Sequence, residues 1–329
     1  MQPFPATPIA KLSGHGGIVH CLTYSASPSS YILTGCSDRT IRLYNPSKAP
    51  ISSDISAAGI INKYNAHGYE VLSLAVAHTN DKFVSAGGDK TVFYWDVQTA
   101  QTIKRWSGHS GRINCCAFGG EDDSVAISGS FDGTVKIWDT KSSNYRPIMS
   151  LDEAKDSISD VALFDAEIIA GSVDGKVRSY DLRMGICNVD VIGHPVTSVD
   201  VSMKGTDVLV SSLDSTIRLM DRTNGQLLKA YRDEGFVNKE LRVESILGMN
   251  DSVVVSGSDN GMVYAWDLLE GEVLHKFKHS EAREVKGKAR LPEAQGKREV
   301  VGAVTFCPSR KEWASAGGDG NVIVWGMDS

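Results

Sequence analysis

The sequence has few cysteines and no long apolar stretch, and each absence excludes a class of protein. Its six cysteines show no C-x-x-C spacing, so we expect small core residues in a reducing compartment rather than a zinc or redox motif. No run of 18 apolar residues is present, and the first ten residues, MQPFPATPIA, lack the charged-then-apolar pattern of a secretion signal. We therefore expect a soluble intracellular protein with no membrane partner.

A surplus of positive charge is also missing. The chain of 329 residues carries 34 Lys and Arg against 40 Asp and Glu, which gives a formal net charge of −6. Proteins that bind nucleic acids directly have a basic patch or a basic balance. We therefore expect no direct, sequence-specific contact with nucleic acid.

What the sequence does contain is one short unit that recurs seven times. Each copy has a turn residue, several β-forming residues and, in most copies, a terminal aromatic residue. The copies are CSDRTIRLYN, GGDKTVFYWD, GSFDGTVKIWD, GSVDGKVRSYD, SSLDSTIRLMD, GSDNGMVYAWD and GGDGNVIVW. Their turn residues are separated by 40 to 59 residues and are Asp38, Asp89, Asp132, Asp174, Asp214, Asn260 and Asp319. Such a period predicts an all-β propeller of seven four-stranded blades in a single domain, residues 1–329.

The third copy shows why each repeat folds as one blade. Short runs of alternating or β-branched residues predict strands over Arg112–Phe118, Ser124–Ser130, Thr134–Asp139 and Arg146–Leu151. The dipeptide Asp132-Gly133 predicts a tight hairpin between the second strand and the third. One such sheet cannot bury both of its faces alone, so neighbouring blades have to stack.

The two ends of the chain predict how the ring closes. Only four residues follow Trp325, too few for an outer strand in the last blade, whereas a spare apolar run lies near the N-terminus. We expect a strand over about residues 9–13 to complete blade seven. Insertions are predicted at 46–58, which is rich in Ser and Ala, and at 276–299, which carries eight Lys and Arg against four Glu. The second insertion is interpreted as a solvated loop, or as a contact for an acidic partner or for an RNA backbone within a larger assembly.

A Ser-His-Asp set occurs in blades two and three, and taken alone it is the set of a nucleophilic hydrolase. The residues are His67, Ser85, Asp89 and Trp95 in blade two, and His109, Ser128, Asp132 and Trp138 in blade three. Because a catalytic set has no reason to occur in tandem, we interpret both as buried structural networks. Blade seven has Gly296-Lys297 where Gly-His is expected, so we predict complete networks in blades two and three only. The sequence predicts no enzyme, no metal site and no cofactor.

The repeats resemble the WD-repeat family, and several segments are more particular. HGYEVL, LDEAKDSISDV, AGSVDGKVRSYDLRMG and LVSSLDSTIRLMDRTNGQLL, in blades two to five, resemble the mitogen-activated protein kinase organizer family. That resemblance implies a spliceosome-associated, non-catalytic scaffold in the cytoplasm and nucleus. Its implied partners are kinase-cascade components and spliceosome subunits, bound by a monomer within larger complexes.

One face of the propeller is the predicted partner site. The residue before each turn acid is expected to be exposed there, and in three successive blades that residue is apolar. These three residues, Phe131, Val173 and Leu213, are called the apolar row from here on. Its expected polar rim consists of Arg112, Asn114, Tyr69 and Glu70. A contiguous row of exposed apolar side chains is a candidate contact surface, although these side chains could also simply cover the central channel.

A second function remains open on the opposite face. Tyr180-Asp181-Leu182-Arg183 resembles, with Tyr for Trp, the Trp-Asp-x-Arg motif of substrate receptors of cullin-4 ubiquitin ligases. In that hypothesis Arg183 contacts the ligase adaptor. The alternative is that Arg183 pairs locally with a nearby acid.

Overall fold

The structure is a computed structural model, and it describes residues 3–49, 51, 58–279 and 300–327. Blade three, whose strands were predicted from the sequence, consists of the strands Ile113–Gly119, Val125–Ser130, Val135–Asp139 and Met149–Leu151. Each strand begins one to three residues later than the sequence pattern predicts. The hairpin between the two middle strands is tight because Gly133 takes a positive φ of 77°, a conformation that glycine adopts without strain.

Seven four-stranded antiparallel sheets repeat this pattern. Blade one consists of β2 Val19–Tyr24, β3 Ile32–Cys36, β4 Ile41–Tyr44 and β5 Ile60–Tyr64, and blade two of β6 Val71–Val76, β7 Lys82–Gly87, β8 Thr91–Asp96 and β9 Thr102–Ser107. The four strands of blade three given above are numbered β10, β11, β12 and β13 in chain order. Blade four consists of β14 Ile158–Phe164, β15 Glu167–Ser172, β16 Lys176–Asp181 and β17 Ile186–Val191. Blade five consists of β18 Val196–Val201, β19 Asp207–Ser212, β20 Thr216–Asp221 and β21 Leu227–Tyr231. Blade six consists of β22 Ser245–Gly248, β23 Val253–Ser256, β24 Met262–Asp267 and β25 Val273–Lys278. Blade seven contains β26 Val301–Phe306, β27 Trp313–Gly317 and β28 Val322–Gly326.

The first strands of the blades form a closed inner ring. Each of these strands contacts the first strand of the next blade, from β2 through β6, β10, β14, β18 and β22 to β26, and β26 contacts β2 again. The predicted seven-bladed propeller is therefore confirmed. Among the described residues no helix is long and apolar enough to cross a membrane; the short helices Pro46–Lys48 and Glu121–Asp123 are 3-10 turns.

The N-terminal strand β1, Thr7–Leu12, closes the ring by pairing antiparallel with β28 as the outer strand of blade seven. It begins two residues earlier than expected. Its side chains Ala10 and Leu12 are buried together with residues of blades one and seven. Just before it, the carbonyl of Pro5 accepts a 2.7 Å hydrogen bond from the indole N–H of Trp313. Closure is thus fixed both by strand pairing and by apolar packing.

Parts of the two predicted insertions belong to regular secondary structure. In the first, residues 46–48 form the 3-10 turn named above, and residues 50 and 52–57 lie outside the described residues. In the second, Lys276–Lys278 is not loop but the end of β25, because its residues pair in register with β24. Residues 280–299 also lie outside the described residues.

Removing residues 1–12 should destabilise the whole ring rather than one end of it. The deletion removes the buried side chain of Leu12 and leaves the backbone of β28 unpaired, a loss of several kcal/mol at about 2 kcal/mol for a buried leucine and about 1 kcal/mol for each hydrogen bond. We expect the melting temperature, followed by circular dichroism, to fall by roughly 10 °C or more. Deleting residues 1–2 alone is the control, and an unchanged melting temperature of the longer deletion would contradict closure by β1.

Candidate partner-binding face

The seven turns between second and third strands are equivalent in the structure. In each, the amide of the residue before the turn position donates a hydrogen bond of 2.8–3.1 Å to a carbonyl that precedes the blade's first strand, directly in six blades and eight residues ahead of β22 in blade six. The donors are Ser37, Gly88, Phe131, Val173, Leu213, Asp259 and Gly318, and the acceptors are Ile18, Glu70, Arg112, Ser157, Pro195, Val237 and Val300. These turns therefore lie on one face of the ring, which we call the upper face.

The apolar row lies on this upper face in blades three to five. Phe131 is 56% exposed, Val173 is 37% exposed and Leu213 is half-buried. The guanidinium carbon of Arg112 lies 5.3 Å from the centre of the Phe131 ring, a cation–π arrangement that holds the ring in place. In the other four blades the equivalent residues are serine, glycine or aspartate, so apolar side chains at this position are confined to three neighbouring blades.

Glycines on the upper face leave the space that neighbouring bulky side chains occupy. In blade two a Cβ on Gly88 would lie 2.7 Å from the Cβ of Tyr69, and in blade three a Cβ on Gly111 would lie 3.1 Å from that of Phe131. Each of these blades therefore carries one aromatic residue beside one glycine. The ring of Tyr69 is 65% exposed and stands beside the row.

Two residues of the predicted rim are placed differently. Asn114 is buried, and its side-chain amide donates to the carbonyl of Ile158 at 2.6 Å and to Ser157 Oγ at 2.9 Å. It joins blade three to blade four and is not on the rim, because its position at the start of the inner strand turns it toward the next blade. Glu70 is half-buried, and its carboxylate lies 3.4 Å from His20 Nε2.

The Ser-His-Asp sets form hydrogen-bonded chains inside their blades. In blade three, Asp132 accepts from His109 Nδ1 at 3.0 Å, and His109 Nε2 lies 2.8 Å from Ser128 Oγ. Ser128 Oγ also accepts from Trp138 Nε1 at 2.8 Å. Burial favours the neutral imidazole by lowering the pKa of His109. Burial alone would raise the pKa of Asp132, but hydrogen bonds from Thr134 and others hold that pKa well below its usual range.

Blade two has the same chain of contacts. His67 bonds Asp89 through Nδ1 and lies 2.7 Å from Ser85 Oγ through Nε2, and Trp95 Nε1 donates to Ser85 Oγ at 2.8 Å. Both serines are fully buried, with 0% exposure. A hydrolase needs its serine oxygen open to substrate, and these oxygens are enclosed and already bonded on two sides.

Blade seven brings the same four residue types together, which the sequence did not predict, but one link of the network is missing because His279 Nε2 has no hydrogen-bond partner among the described residues. His279 Nδ1 lies 2.9 Å from Ser315 Oγ, which accepts from Trp325 Nε1 at 2.9 Å, and His279 Nε2 lies 3.5 Å from Asp319. The histidine comes directly after β25, before the long insertion. The repeat pattern places the expected Gly-His after the insertion, at Gly296-Lys297. The sequence feature that indicates this histidine is the dipeptide His279-Ser280 directly after a strand.

In blades four and five an arginine bonds the turn acid, although blade five also has a histidine, His194, whose Nε2 lies 3.8 Å from Asp214. The Arg178 guanidinium bonds both carboxylate oxygens of Asp174, at 3.2 and 2.7 Å, and Arg218 bonds Asp214 likewise at 3.2 and 2.6 Å. In both blades the arginine follows the turn acid by four residues, so the hairpin itself brings the pair together. The turn acid thus has a cationic hydrogen-bonding partner in these two blades.

One group in blade one has the donor set of a metal site. His15, Cys36 and Asp38 place a possible ligand atom each within 4.8 Å of one another, the one such group among the described residues. Both nitrogens of His15 are already in contact, with Asp38 at 3.1 Å and with Thr34 Oγ1 at 2.7 Å. Burial also raises the pKa of the Cys36 thiol to about 11, which disfavours the thiolate that binds metals. The geometry therefore matches the blade network better than a metal centre.

The side chain of Arg242 in blade six reaches blades three and four, a contact that the sequence does not predict. Arg242, just before β22, donates to the carbonyl of Asn114 and lies 2.9 Å from Asp160 Oδ1. It therefore links blade six to blades three and four. Burial raises the pKa of the neighbouring Glu244 to about 8. No local pattern in the sequence indicates where the Arg242 side chain points.

On the opposite, lower face, Arg183 pairs locally. Its guanidinium donates to Asp165 at 2.9 Å, and both side chains are more than half exposed. This is the local ion pair that the sequence left open as the alternative to an adaptor contact.

The fold and these networks define the class of protein: a seven-bladed WD-repeat β-propeller. A family model described as "WD domain, G-beta repeat" matches residues 6–45, 59–96, 100–139 and 185–221. The chain is 42% identical over 255 residues to human "WD repeat domain-containing protein 83", covering 78% of this chain and 77% of that protein. The rat protein of the same name is 41% identical, with 78% of each chain covered. A homologue from Dictyostelium discoideum is 28% identical over 95% of this chain and 96% of its own.

The chain therefore belongs to the family of WD repeat domain-containing protein 83. This corrects the resemblance drawn from the sequence, since the relatives carry this name and not that of mitogen-activated protein kinase organizers. Their name states a repeat architecture and no partner. Homologous WD-repeat propellers are protein-interaction scaffolds, and that description extends to this chain.

Replacing His279 with alanine should destabilise the protein about as much as replacing His109. Either change removes the histidine partner of a buried serine, whose bond from the indole remains, at a cost of roughly 1–3 kcal/mol. The free energy of unfolding from urea titration measures both. His78→Ala is the control, since that side chain is 90% exposed. A His279→Ala protein as stable as the control would contradict a seventh-blade network.

Proposed function

We propose that this protein is a non-catalytic scaffold that binds a partner protein through the apolar row on its upper face. The observation that carries the proposal is the confinement of apolar residues at one repeated position to blades three, four and five. Aromatic residues and arginine are the types that dominate binding energy at protein interfaces, and Phe131 and Arg112 supply both in contact with each other. The exposed Tyr69 extends the same surface over blade two.

A non-catalytic role is supported by the burial of the residues that resemble a catalytic set. Ser85 and Ser128 each bond a histidine and an indole and have no exposed surface. None of the relatives reported above is named as an enzyme. The residues that differ from blade to blade are surface turn residues, which is where a scaffold acquires its specificity.

For the partners themselves, we propose components of mitogen-activated protein kinase cascades and subunits of the spliceosome, in the cytoplasm and nucleus. This rests on the segments of blades two to five quoted from the sequence. We propose a monomer that enters larger complexes and makes no sequence-specific contact with nucleic acid of its own, in keeping with its net charge of −6.

Replacing Phe131 and Leu213 together with alanine should weaken partner binding at least about tenfold, since truncating two central anchors costs more than about 1 kcal/mol each. Both side chains are at least partly exposed, so the ring should stay folded, as checked by its melting temperature. Affinity purification with quantitative mass spectrometry, from nuclear and cytoplasmic fractions, measures the loss of each partner. A matched control is Ile148→Ala with Leu227→Ala, exposed apolar residues of the same two blades away from the row. Full retention of every partner by the Phe131/Leu213 variant would refute the proposal.

The alternative is a substrate receptor of a cullin-4 ubiquitin ligase that uses Arg183 on the lower face. The observation in its favour is exposure: the Arg183 side chain is 67% accessible despite its pair with Asp165. In that case Arg183→Glu should abolish co-precipitation of the ligase adaptor. Asp165→Ala, which breaks the local pair and keeps the arginine, should preserve it. Absence of the adaptor from wild-type precipitates would end this alternative.

A further inference from the structure

A cleft opens on the lower face between blades one and two. It encloses about 470 Å³ and is lined by Leu33 and Leu43 of blade one and by Val76 and Val97 of blade two, with Asn62 and Asn80 among its polar residues. This size and this mixture of apolar walls with a few polar groups are those of ligand-binding pockets. It lies on the face opposite the apolar row.

Because the blades are repeats, the residues that line this cleft have equivalent residues in other blades. In blade one Leu33 pairs with Leu43 and Leu43 with Asn62; in blade six Val255 pairs with Ala265 and Ala265 with His275. Leu43 and Ala265 each directly precede the terminal aromatic residue of their unit.

Across the two junctions, Val76 of blade two corresponds to Phe306 of blade seven. Each is the last residue of its inner strand, and they pair with Phe83 and Trp313 respectively. The junction of blades six and seven is therefore the counterpart of the cleft.

At the junction of blades six and seven this space is filled by the chain itself. The ring of Phe4 stacks on His275 at 5.2 Å and meets Phe306 edge-on at 6.4 Å between ring centres. The next carbonyl, that of Pro5, accepts the hydrogen bond from Trp313. An extended segment thus seats one aromatic side chain between two blades and satisfies a buried polar group beside it. The small side chain of Ala265 leaves the room for this ring.

Between blades two and three the same space is filled differently. Tyr94, the counterpart of Leu43, stacks on Trp106 at 5.6 Å and meets Phe118 edge-on at 6.2 Å. Between blades one and two the counterparts are Leu43 and Val76, which are too short to meet, and the space stays open.

The residues that line the cleft also include one with a buried hydrogen-bond acceptor, Asn80. The side-chain nitrogen of Asn80 donates to the carbonyls of Ala26 at 3.2 Å and Ser27 at 3.3 Å, which fixes the orientation of the amide. Its oxygen is buried and has no donor among the described residues. A buried acceptor without a partner is unfavourable, so an incoming N–H group at this point is favoured.

We propose that the cleft between blades one and two binds an extended segment of a partner protein that inserts one aromatic side chain, as Phe4 does between blades six and seven. A backbone N–H of the segment donates to Asn80 Oδ1. The site goes beyond the proposed upper-face function and does not depend on it. Together the two sites let one ring hold two partners on opposite faces.

The test uses the chain's own aromatic segment as the probe. A blocked peptide with the sequence of residues 2–8, QPFPATP, is titrated into the full-length protein with labelled methyl groups. We expect shifts in the NMR signals of the Leu33, Leu43, Val76 and Val97 methyls. A control peptide with Phe4→Ala should bind at least about tenfold more weakly, because burying a phenylalanine ring stabilises by about 1.5–3 kcal/mol. Shifts confined to other parts of the ring, or equal binding of both peptides, overturn the proposal.

A filled cleft provides the matched variant. Leu43→Tyr copies Tyr94 of blade two and should lower peptide affinity at least about tenfold, while Phe131→Ala on the other face should leave it unchanged. If Leu43→Tyr does not fold, Val76→Phe copies Phe306 and serves instead. Unchanged affinity in a folded filler variant overturns the site. Dimers of the wild type that the filler variant abolishes would show that a second copy of this chain is the occupant, and would overturn the proposed partner segment.

Discussion

Ring closure is the constraint on which the rest of this structure depends. A four-stranded sheet of this size has two apolar faces and cannot cover either one alone, so each blade is stable only between two neighbours. The chain meets this need in the last blade by taking its outer strand from the N-terminus, where β1 pairs with β28 and buries Leu12. Because the first and last residues of the propeller share a sheet, no blade is left with an uncovered face.

Within the closed ring, the hairpin acid of most blades is held by a nearby partner. In blades two, three and seven that partner is a histidine, which also bonds a serine that accepts from an indole. In blades four and five it is an arginine four residues along the same hairpin. With the turn fixed in either way, the preceding residue is free to vary without affecting the fold. That freedom is what allows Phe131, Val173 and Leu213 to differ from the serine and glycines of other blades.

Much of this could be predicted from the sequence because the repeat is a local pattern. Turn acids, β-branched runs and the Asp132-Gly133 hairpin depend on neighbours a few residues away, and they give the number of blades and the position of the apolar row. His279 could not be placed in the same way, since a long insertion separates it from the strands it bonds. Asn114 and Arg242 depend on which blades lie next to or opposite each other, and the cleft depends on the side-chain volumes of two blades at once.

The central claim is that one position in the repeat becomes a partner site only in blades three to five. Its most direct test places the photo-crosslinking residue p-benzoylphenylalanine, in seven separate variants, at the seven equivalent positions of the upper face. The account predicts that positions 131, 173 and 213 capture the same partner and that positions 37 and 318, on the far side of the ring, do not. Equal capture from all seven positions, or capture from 37 and 318 alone, would contradict it.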